Sequence, residues 1–302
     1  MIYPNIITST AHILAQNGET KILTLIKMMN KASYKINVSE PLIFEIDVPK
    51  NYIFLLPLTL DIHTQISIDW GDHTQLEVVR NTDDMLLSYK RIEHIYPNFS
   101  KDEKYRVKIY NYSKYKKYQK IHIGHCPAWA DTITKFITLG GLNITDLSGL
   151  FYKCFRFNGT ISENFNTSSI TDMSHMFYYA ESFNRPVDFV TSNVVDMKGM
   201  FRNAIKFNQP FSKGKWDTSK VRDMSCMFCH AYSFNQPLLK EQWSTSNVKY
   251  MRYMFKEAIK FNQPLNFDTS KVRNMACMFY SAKSFNQRLN FDTSNVKSMS
   301  HM

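Results

Sequence analysis

Cys226-Met227-Phe228-Cys229-His230 is the segment whose residue types and spacing point most directly to chemistry. Two thiols three residues apart, followed by an imidazole, match the pattern through which haem is attached covalently. The other copies of the block in which this segment falls carry Met-Phe-x-x-Ala without a cysteine pair. The reading is therefore a reduced thiol pair, not haem attachment. A zinc site needs four ligands, and the sequence holds no second C-x-x-C. His122-x-x-His125-Cys126 has metal-ligand residue types but no fourth ligand nearby. No Ser-His-Asp, paired-carboxylate or P-loop constellation is recognisable, and glycine is scarce, with 9 in 302 residues. No catalytic residues, no metal and no cofactor are expected, and the chain is expected not to be an enzyme.

Charge is the second chemical clue. The chain carries a net +11, and residues 124–302 hold 21 basic against 13 acidic residues. Between 101 and 120, Lys114, Lys116, Lys117 and Lys120 interleave with Tyr110, Tyr112, Tyr115 and Tyr118. Cations interleaved with aromatic rings suit nucleic acid. Further on, Arg222, Lys249, Arg273 and Lys297 each follow the valine of a recurring block. Stacked, they form one cationic column, the candidate binding site, which would attract an acidic protein, a sulfated glycan or nucleic acid.

These residues must be positioned by a repeat. Twelve of the 16 methionines lie in pairs spaced by three, at 173/176, 197/200, 224/227, 251/254, 275/278 and 299/302. The pairs recur every 24 or 27 residues. One clean copy runs from Phe261-Asn262-Gln263-Pro264-Leu265 through Asp268-Thr269-Ser270, Met275, Met278 and Ala282 to Phe285-Asn286. Val272, Met275, Met278, Phe279 and Ala282 follow a helical stripe, with Asp268-Thr269-Ser270 standing where a helix cap belongs. Leu265 and Phe267 alternate as a short strand. The predicted unit is thus one strand plus a short helix or 3₁₀ turn, unable to fold alone and stabilised by stacking. The Asn of each Phe-Asn (Asn158, Asn184, Asn208, Asn235, Asn262 and Asn286) is predicted to form a structural ladder from unit to unit.

The Asp-Thr-Ser-Asn-Val-x-x-Met-x-x-Met-Phe-x-x-Ala-x-x-Phe-Asn-Gln pattern over Leu147–Met302 resembles the BspA-type leucine-rich-like repeats of mycoplasmal and other bacterial surface proteins and of giant DNA viruses. The resemblance implies an adhesion or protein-interaction module without catalytic residues. The bacterial members usually carry signal peptides or lipoprotein sites. Neither is visible here, which favours an intracellular or virion-associated setting. The longest apolar run, Ile53 to Leu60, contains Pro57 and is far shorter than the roughly 20 residues of a membrane helix.

In the N-terminal half, Leu42–Ile46, Tyr52–Leu56, Ile66–Asp69, Leu76–Val79 and Tyr105–Ile109 are strand candidates. Asp69-Trp70-Gly71-Asp72, His94-x-Tyr96 and Tyr105-x-Val107-x-Ile109 resemble a PKD-type immunoglobulin-like domain, with His73 in place of the family's last turn glycine. Two carboxylates are too few for calcium, so Asp69 and Asp72 are expected to stabilise the turn. Lys21–Met29 fits a short amphipathic helix or an edge strand.

The expected fold class is α+β: an all-β immunoglobulin/PKD-like sandwich followed by a leucine-rich-repeat-like strand-plus-short-helix solenoid. The expected boundaries are an extension over 1–36, the sandwich over 37–123, a junction or cap over 124–146, and the repeats over 147–302 with a truncated last unit. The function expected is a protein- or glycan-binding scaffold. The alternatives are a nucleic-acid-associated basic protein or a structural component of a viral particle. Val296, Met299 and Met302 begin a repeat that the chain does not finish. An exposed apolar end is expected there, suited to a partner or to self-association.

Overall fold

The computed structural model describes residues 40–48, 53–56, 58–60, 65–80, 92–96, 104–111, 121–123, 132–141, 144–211 and 215–302. Ten strands lie among them: β1 (Leu42–Ile46), β2 (Ile53–Leu56), β3 (Leu58–Leu60), β4 (Gln65–Asp69), β5 (Glu77–Arg80), β6 (Ile92–Ile95), β7 (Tyr105–Asn111), β8 (Ile121–Ile123), β9 (Ile133–Thr138) and β10 (Thr160–Ile161). Six form one mixed sheet in the order β10-β9-β1-β7-β4-β5, while β2–β6 and β3–β8 are separate two-stranded ladders. Only the β10–β9 pairing in the mixed sheet is parallel. Period-two patterning explains β1 and β7. In β1, Leu42, Phe44 and Ile46 are buried while Ile43 and Glu45 are half-exposed.

Aromatic contacts carry the N-terminal core into the repeats. Phe44 lies 6.1 Å from Phe54 and 5.5 Å from Phe136, and Phe136 meets Phe151 and Phe165 edge-on at 5.5 and 5.7 Å. One apolar cluster runs from Leu42 to Met278. Ten of the twelve paired methionines, from Met173 to Met278, are fully buried. Beside them the phenylalanines stack from copy to copy: Phe177 on Phe201 at 5.4 Å, Phe201 on Phe228 at 5.7 Å and Phe228 on Phe255 at 5.6 Å, with rings within 10° of parallel.

The expected α+β class is overturned. The described residues contain no helix, and their regular structure consists of strands. The sandwich-plus-helix arrangement gives way to the mixed sheet followed by turn-rich coils. The segment expected to be helical shows why. The N–H groups of Met176, Tyr178 and Ala180 donate to the carbonyls of Met173, His175 and Phe177 at 3.3, 3.0 and 3.0 Å, making overlapping i→i+3 turns. The intervening N–H groups of Met173, His175, Phe177 and Tyr179 donate instead to Asp196, Lys198, Met200 and Arg202 of the next copy at 2.8–3.0 Å. Ser174 N–H goes to Asp172 Oδ1 at 2.8 Å. All eight consecutive donors are accounted for. Half of them are spent between copies, so no helix forms. A chain of i→i+3 turns returns every third residue to the same side, which is the spacing that suggested a helix.

His175 and Tyr179 occupy the third positions of their turns at φ 55° and 57°, as type II geometry requires. Asp268, expected as a helix cap, instead closes a local turn, its Oδ1 accepting Ser270 N–H at 3.0 Å. Leu265–Phe267, expected as a strand, forms none, although the Leu265 and Phe267 side chains are buried. The Asn ladder is present: Asn184, Asn208, Asn235, Asn262 and Asn286 each donate their N–H to the Oδ1 of the preceding Asn at 2.9–3.0 Å. A threonine ladder runs parallel, with Thr167, Thr191, Thr245 and Thr269 hydroxyls donating to carbonyls of the following copy at 2.7–2.9 Å.

Candidate functional site

Because Met-x-x-Met-Phe-x-x-Ala points its named residues inward, its variable positions form columns on the outer surface of the stack. Each copy contributes the residue after the first Met, the left-handed residue that follows it, and the two residues after Phe. Over the copies from Leu147 to Ala258 these positions build a groove of about 800 Å³. Cys226 and Cys229 are small and buried and form its floor. Tyr152, His175 and Tyr178 rise on one side, and Arg252, Tyr253 and Lys256 on the other. A Cβ at Gly199 would come within 2.6 Å of the His175 ring, and the backbone there has φ 59°, so only glycine fits under that imidazole.

The groove is cationic. Lys198, Arg202, Arg252 and Lys256 all line it. The Arg202 guanidinium sits over the Tyr178 ring at 5.2 Å, and the Tyr152 and Tyr178 rings stack at 4.9 Å. One acid stands at the edge: Glu257 is 3.2 Å from His230 Nδ1 and 3.9 Å from Lys256 Nζ. Burial depresses the His230 pKa; Glu257 opposes this, while Lys256 and Arg202 reinforce it.

Cys226 and Cys229 terminate one turn, with Cys229 N–H on the Cys226 carbonyl at 3.1 Å. Both side chains are buried and both line the groove. The neighbouring Cys229 thiol lowers the Cys226 pKa against the effect of burial, and Arg202, Arg252 and Lys198 lower it further. The neighbouring Cys226 thiol, with burial, pushes the Cys229 thiol up. The C-x-x-C-H segment is therefore a thiol pair on the floor of a basic groove, with its histidine turned to Glu257. Among the described residues no group of three or more His, Cys, Asp or Glu side chains could hold a metal ion. His122 lies in β8, while His125 and Cys126 lie outside the described residues.

The backbone register assembles the cationic column. Lys249 N–H donates to the Arg222 carbonyl, Arg273 to Lys249 and Lys297 to Arg273, at 2.9, 2.9 and 2.8 Å. Arg222, Arg273 and Lys297 are exposed and Lys249 is half-buried. A second ladder runs two residues earlier, where Lys220 Nζ and Lys271 Nζ reach Asn193 Oδ1 and Asn247 Oδ1 at 2.7 and 2.8 Å. The basic-aromatic segment differs. Arg106 pairs with Glu45 at 2.8 Å and Lys108 lies 3.7 Å from Asp69, both within the sheet. Lys114, Lys116, Lys117 and Lys120 lie outside the described residues.

Asp69 and Asp72 hold their turn. Asp69 Oδ1 accepts Gly71 N–H at 2.9 Å, and Asp72 Oδ1 accepts Thr74 N–H at 3.1 Å. Asp72 also meets His94 Nε2 at 2.7 Å, and His94 stacks on Trp70 at 4.6 Å. At the other end, Met299 and Met302 are 43% and 36% exposed, unlike their buried counterparts in earlier copies. No helix of the described residues is long and apolar enough to cross a membrane.

Sequence reasoning missed the groove. Its cations fall at positions that vary between copies. Only an alignment of the copies in columns would have placed Lys198 and Arg252 in one column, and Arg202 and Lys256 in another, each pair two copies apart.

Stacked turn-rich coils, repeated with one inward-pointing set of residues, define a repeat protein. The chain belongs to the family described as Mycoplasma protein of unknown function, DUF285, whose model matches residues 125–215 and 212–302. No curated protein and no solved structure matches the chain. The family model does not cover the N-terminal strands, and the resemblance of residues 37–123 to a PKD-type domain finds no support in the comparisons.

Proposed function

We propose that this chain is a non-enzymatic binding scaffold whose repeat surface holds an anionic partner, either an acidic protein or a sulfated glycan. The observation that carries this reading is the bonded column Arg222, Lys249, Arg273 and Lys297. Among the described residues none of the four is in an ion pair, so their charge acts outward. Cations at roughly 5 Å spacing along a fixed backbone ladder focus a positive potential along the stack. The likeness to BspA-type repeats, which look like adhesion or interaction modules, supports the same reading. The test is alanine replacement of all four residues, with binding measured to heparin and to poly-glutamate at two ionic strengths. Binding is expected to fall by tenfold or more. Unchanged affinity for both probes rules the column out as the site.

A second reading, association with single-stranded nucleic acid, is favoured by the stacked Tyr152–Tyr178 pair beside Arg202. It predicts that a labelled oligonucleotide binds with an affinity that drops steeply as salt rises. Salt-insensitive binding eliminates it.

A further inference from the structure

The thiol pair and the cations around it belong to one site, and neither is needed by a scaffold that merely stacks. Other copies fill the two positions without a cysteine pair: His175 with Tyr178, Gly199 with Arg202, Tyr253 with Lys256, and Cys277 with Tyr280. Cys277 therefore has the same left-handed backbone as Cys226, φ 54° against 58°, but a tyrosine where Cys226 has a second thiol. Cys154 is buried in the core at an alanine position, its Sγ 3.5 Å from the Tyr152 carbonyl. Cys226 is distinguished by three things at once: a thiol partner, a place in the groove, and Lys198, Arg202 and Arg252 around it.

We propose that Cys226 and Cys229 form a thiol–disulfide exchange site for a small disulfide bearing carboxylates, of the class of oxidised glutathione, which the groove cations draw in. Geometry permits the product. The ends of a β-turn lie less than about 7 Å apart between Cα atoms, and a disulfide spans roughly 4.4–6.8 Å. The turn bond from Cys229 N–H to the Cys226 carbonyl fixes that spacing.

The exchange balances in two steps. The Cys226 thiolate attacks one sulfur of the small disulfide. The S–S bond of the reagent breaks, a mixed disulfide forms on Cys226, and one small thiolate leaves and takes a proton from water. Cys229 then gives its proton to water and attacks Cys226 Sγ. The mixed disulfide breaks, the Cys226–Cys229 bond forms, and the second small thiolate leaves. Two protein thiols are oxidised and one small disulfide is reduced to two thiols. The order follows from the site. Cys226 is the more exposed of the two, at 8% against 2% for Cys229, so the reagent meets it first. Once Cys226 is in the mixed disulfide, Arg202 and Lys256 favour the Cys229 thiolate that completes the exchange.

The test uses the reduced full chain with oxidised glutathione, followed by alkylation and peptide mapping by mass spectrometry. The wild type is expected to lose two hydrogen atoms through a Cys226–Cys229 disulfide and to release two glutathiones per chain. Cys229→Ser is expected to retain one glutathione on Cys226, and Cys226→Ser neither to retain glutathione nor to form the disulfide. Faster modification of Cys277 than of Cys226, or a wild type that keeps both thiols under conditions that oxidise a free dithiol, overturns the proposal. A neutral reagent, 2-hydroxyethyl disulfide, tests the ligand class. Oxidised glutathione is expected to react several-fold faster at low salt, with the advantage shrinking as salt is added. Equal rates for the two reagents at every ionic strength would remove the groove cations from the site.

Discussion

The side-chain oxygen of Asn235 accepts the backbone N–H of Asn262 at 2.9 Å, across 27 residues of chain. The same oxygen accepts Gln263 Nε2 at 3.1 Å, and the N–H of Asn235 donates to Asn208 Oδ1 at 2.9 Å. At this corner the side chain does the work that a strand ladder does elsewhere. Asn235→Ala leaves the half-buried Asn262 N–H without its acceptor and is expected to cost about 1–3 kcal/mol. The urea midpoint falls with the slope unchanged. A midpoint equal to that of the wild type would mean that water serves the Asn262 N–H equally well.

The methionine spine makes a position-dependent prediction. Met251 is fully buried between copies, whereas Met299 is 43% exposed. Met251→Ala removes packed atoms from both neighbouring copies and is expected to cost about 2–5 kcal/mol. Met299→Ala is expected to stay within about 0.5 kcal/mol of the wild type. Equal losses at the two positions in chemical denaturation would contradict a core running along the stack.

Ser281 is exposed and sits at φ 57°, in the left-handed region that L side chains rarely adopt. Such a residue carries a strain of order 1–3 kcal/mol. Glycine removes the strain but adds up to about 1 kcal/mol of unfolded-state entropy. Ser281→Gly is therefore expected to stabilise by about 1 kcal/mol, and Ser281→Ala, which keeps the Cβ, to do nothing comparable. The chain itself uses glycine at the first left-handed position of two copies, Gly149 and Gly199, with φ 62° and 59°. A melting temperature that rises equally for both variants would show that the backbone there is unstrained.

These tests rest on features of unequal legibility in the sequence. The inward set was plain, since Met251, Met254, Phe255 and Ala258 recur at fixed spacing and are all buried. The Asn ladder was equally plain, because an amide in every copy needs a partner in every copy. The backbone was not. Apolar residues at i, i+3, i+6 and i+7 suit a helix and a run of i→i+3 turns alike, and Tyr253, Cys277 and His301 give no hint that their φ is positive. Glycine would have marked those turns, and only Gly149 and Gly199 hold that place. In the N-terminal half, alternation located β1, β4 and β7. The parallel pairing of β10 with β9 stayed hidden, because two residues, Thr160 and Ile161, carry no periodicity. The groove was hidden for a further reason: its cations come from different copies and meet only once the register between copies is known.

A column of carboxylates gives the last prediction. Asp146, Asp172, Asp196 and Asp223 succeed one another through parallel bridges. Asp196 Oδ1 accepts Lys198 N–H at 2.8 Å. Burial raises the pKa of Asp196; its hydrogen bond to Lys198 N–H opposes the rise, and the charges of Asp172 and Asp223 add to it. A carboxyl whose pKa is raised by folding contributes its full stability below the unfolded value of 3.8 and loses it as pH rises through the folded value. At neutral pH the ionised Asp196 is thus a liability, and its role as a hydrogen-bond acceptor does not need the charge. The chain demonstrates this at Asn274, whose Oδ1 accepts Ala276 N–H at 2.9 Å in the same position of a later copy. Asp196→Asn is expected to keep the bond and relieve repulsion worth about 0.5 kcal/mol, the scale of like charges set opposite one another on neighbouring strands. The gain should appear in urea titrations at pH 7, shrink as pH falls toward 4, and diminish with added salt. A variant less stable than the wild type at pH 7 would show that the charge itself holds the copies together.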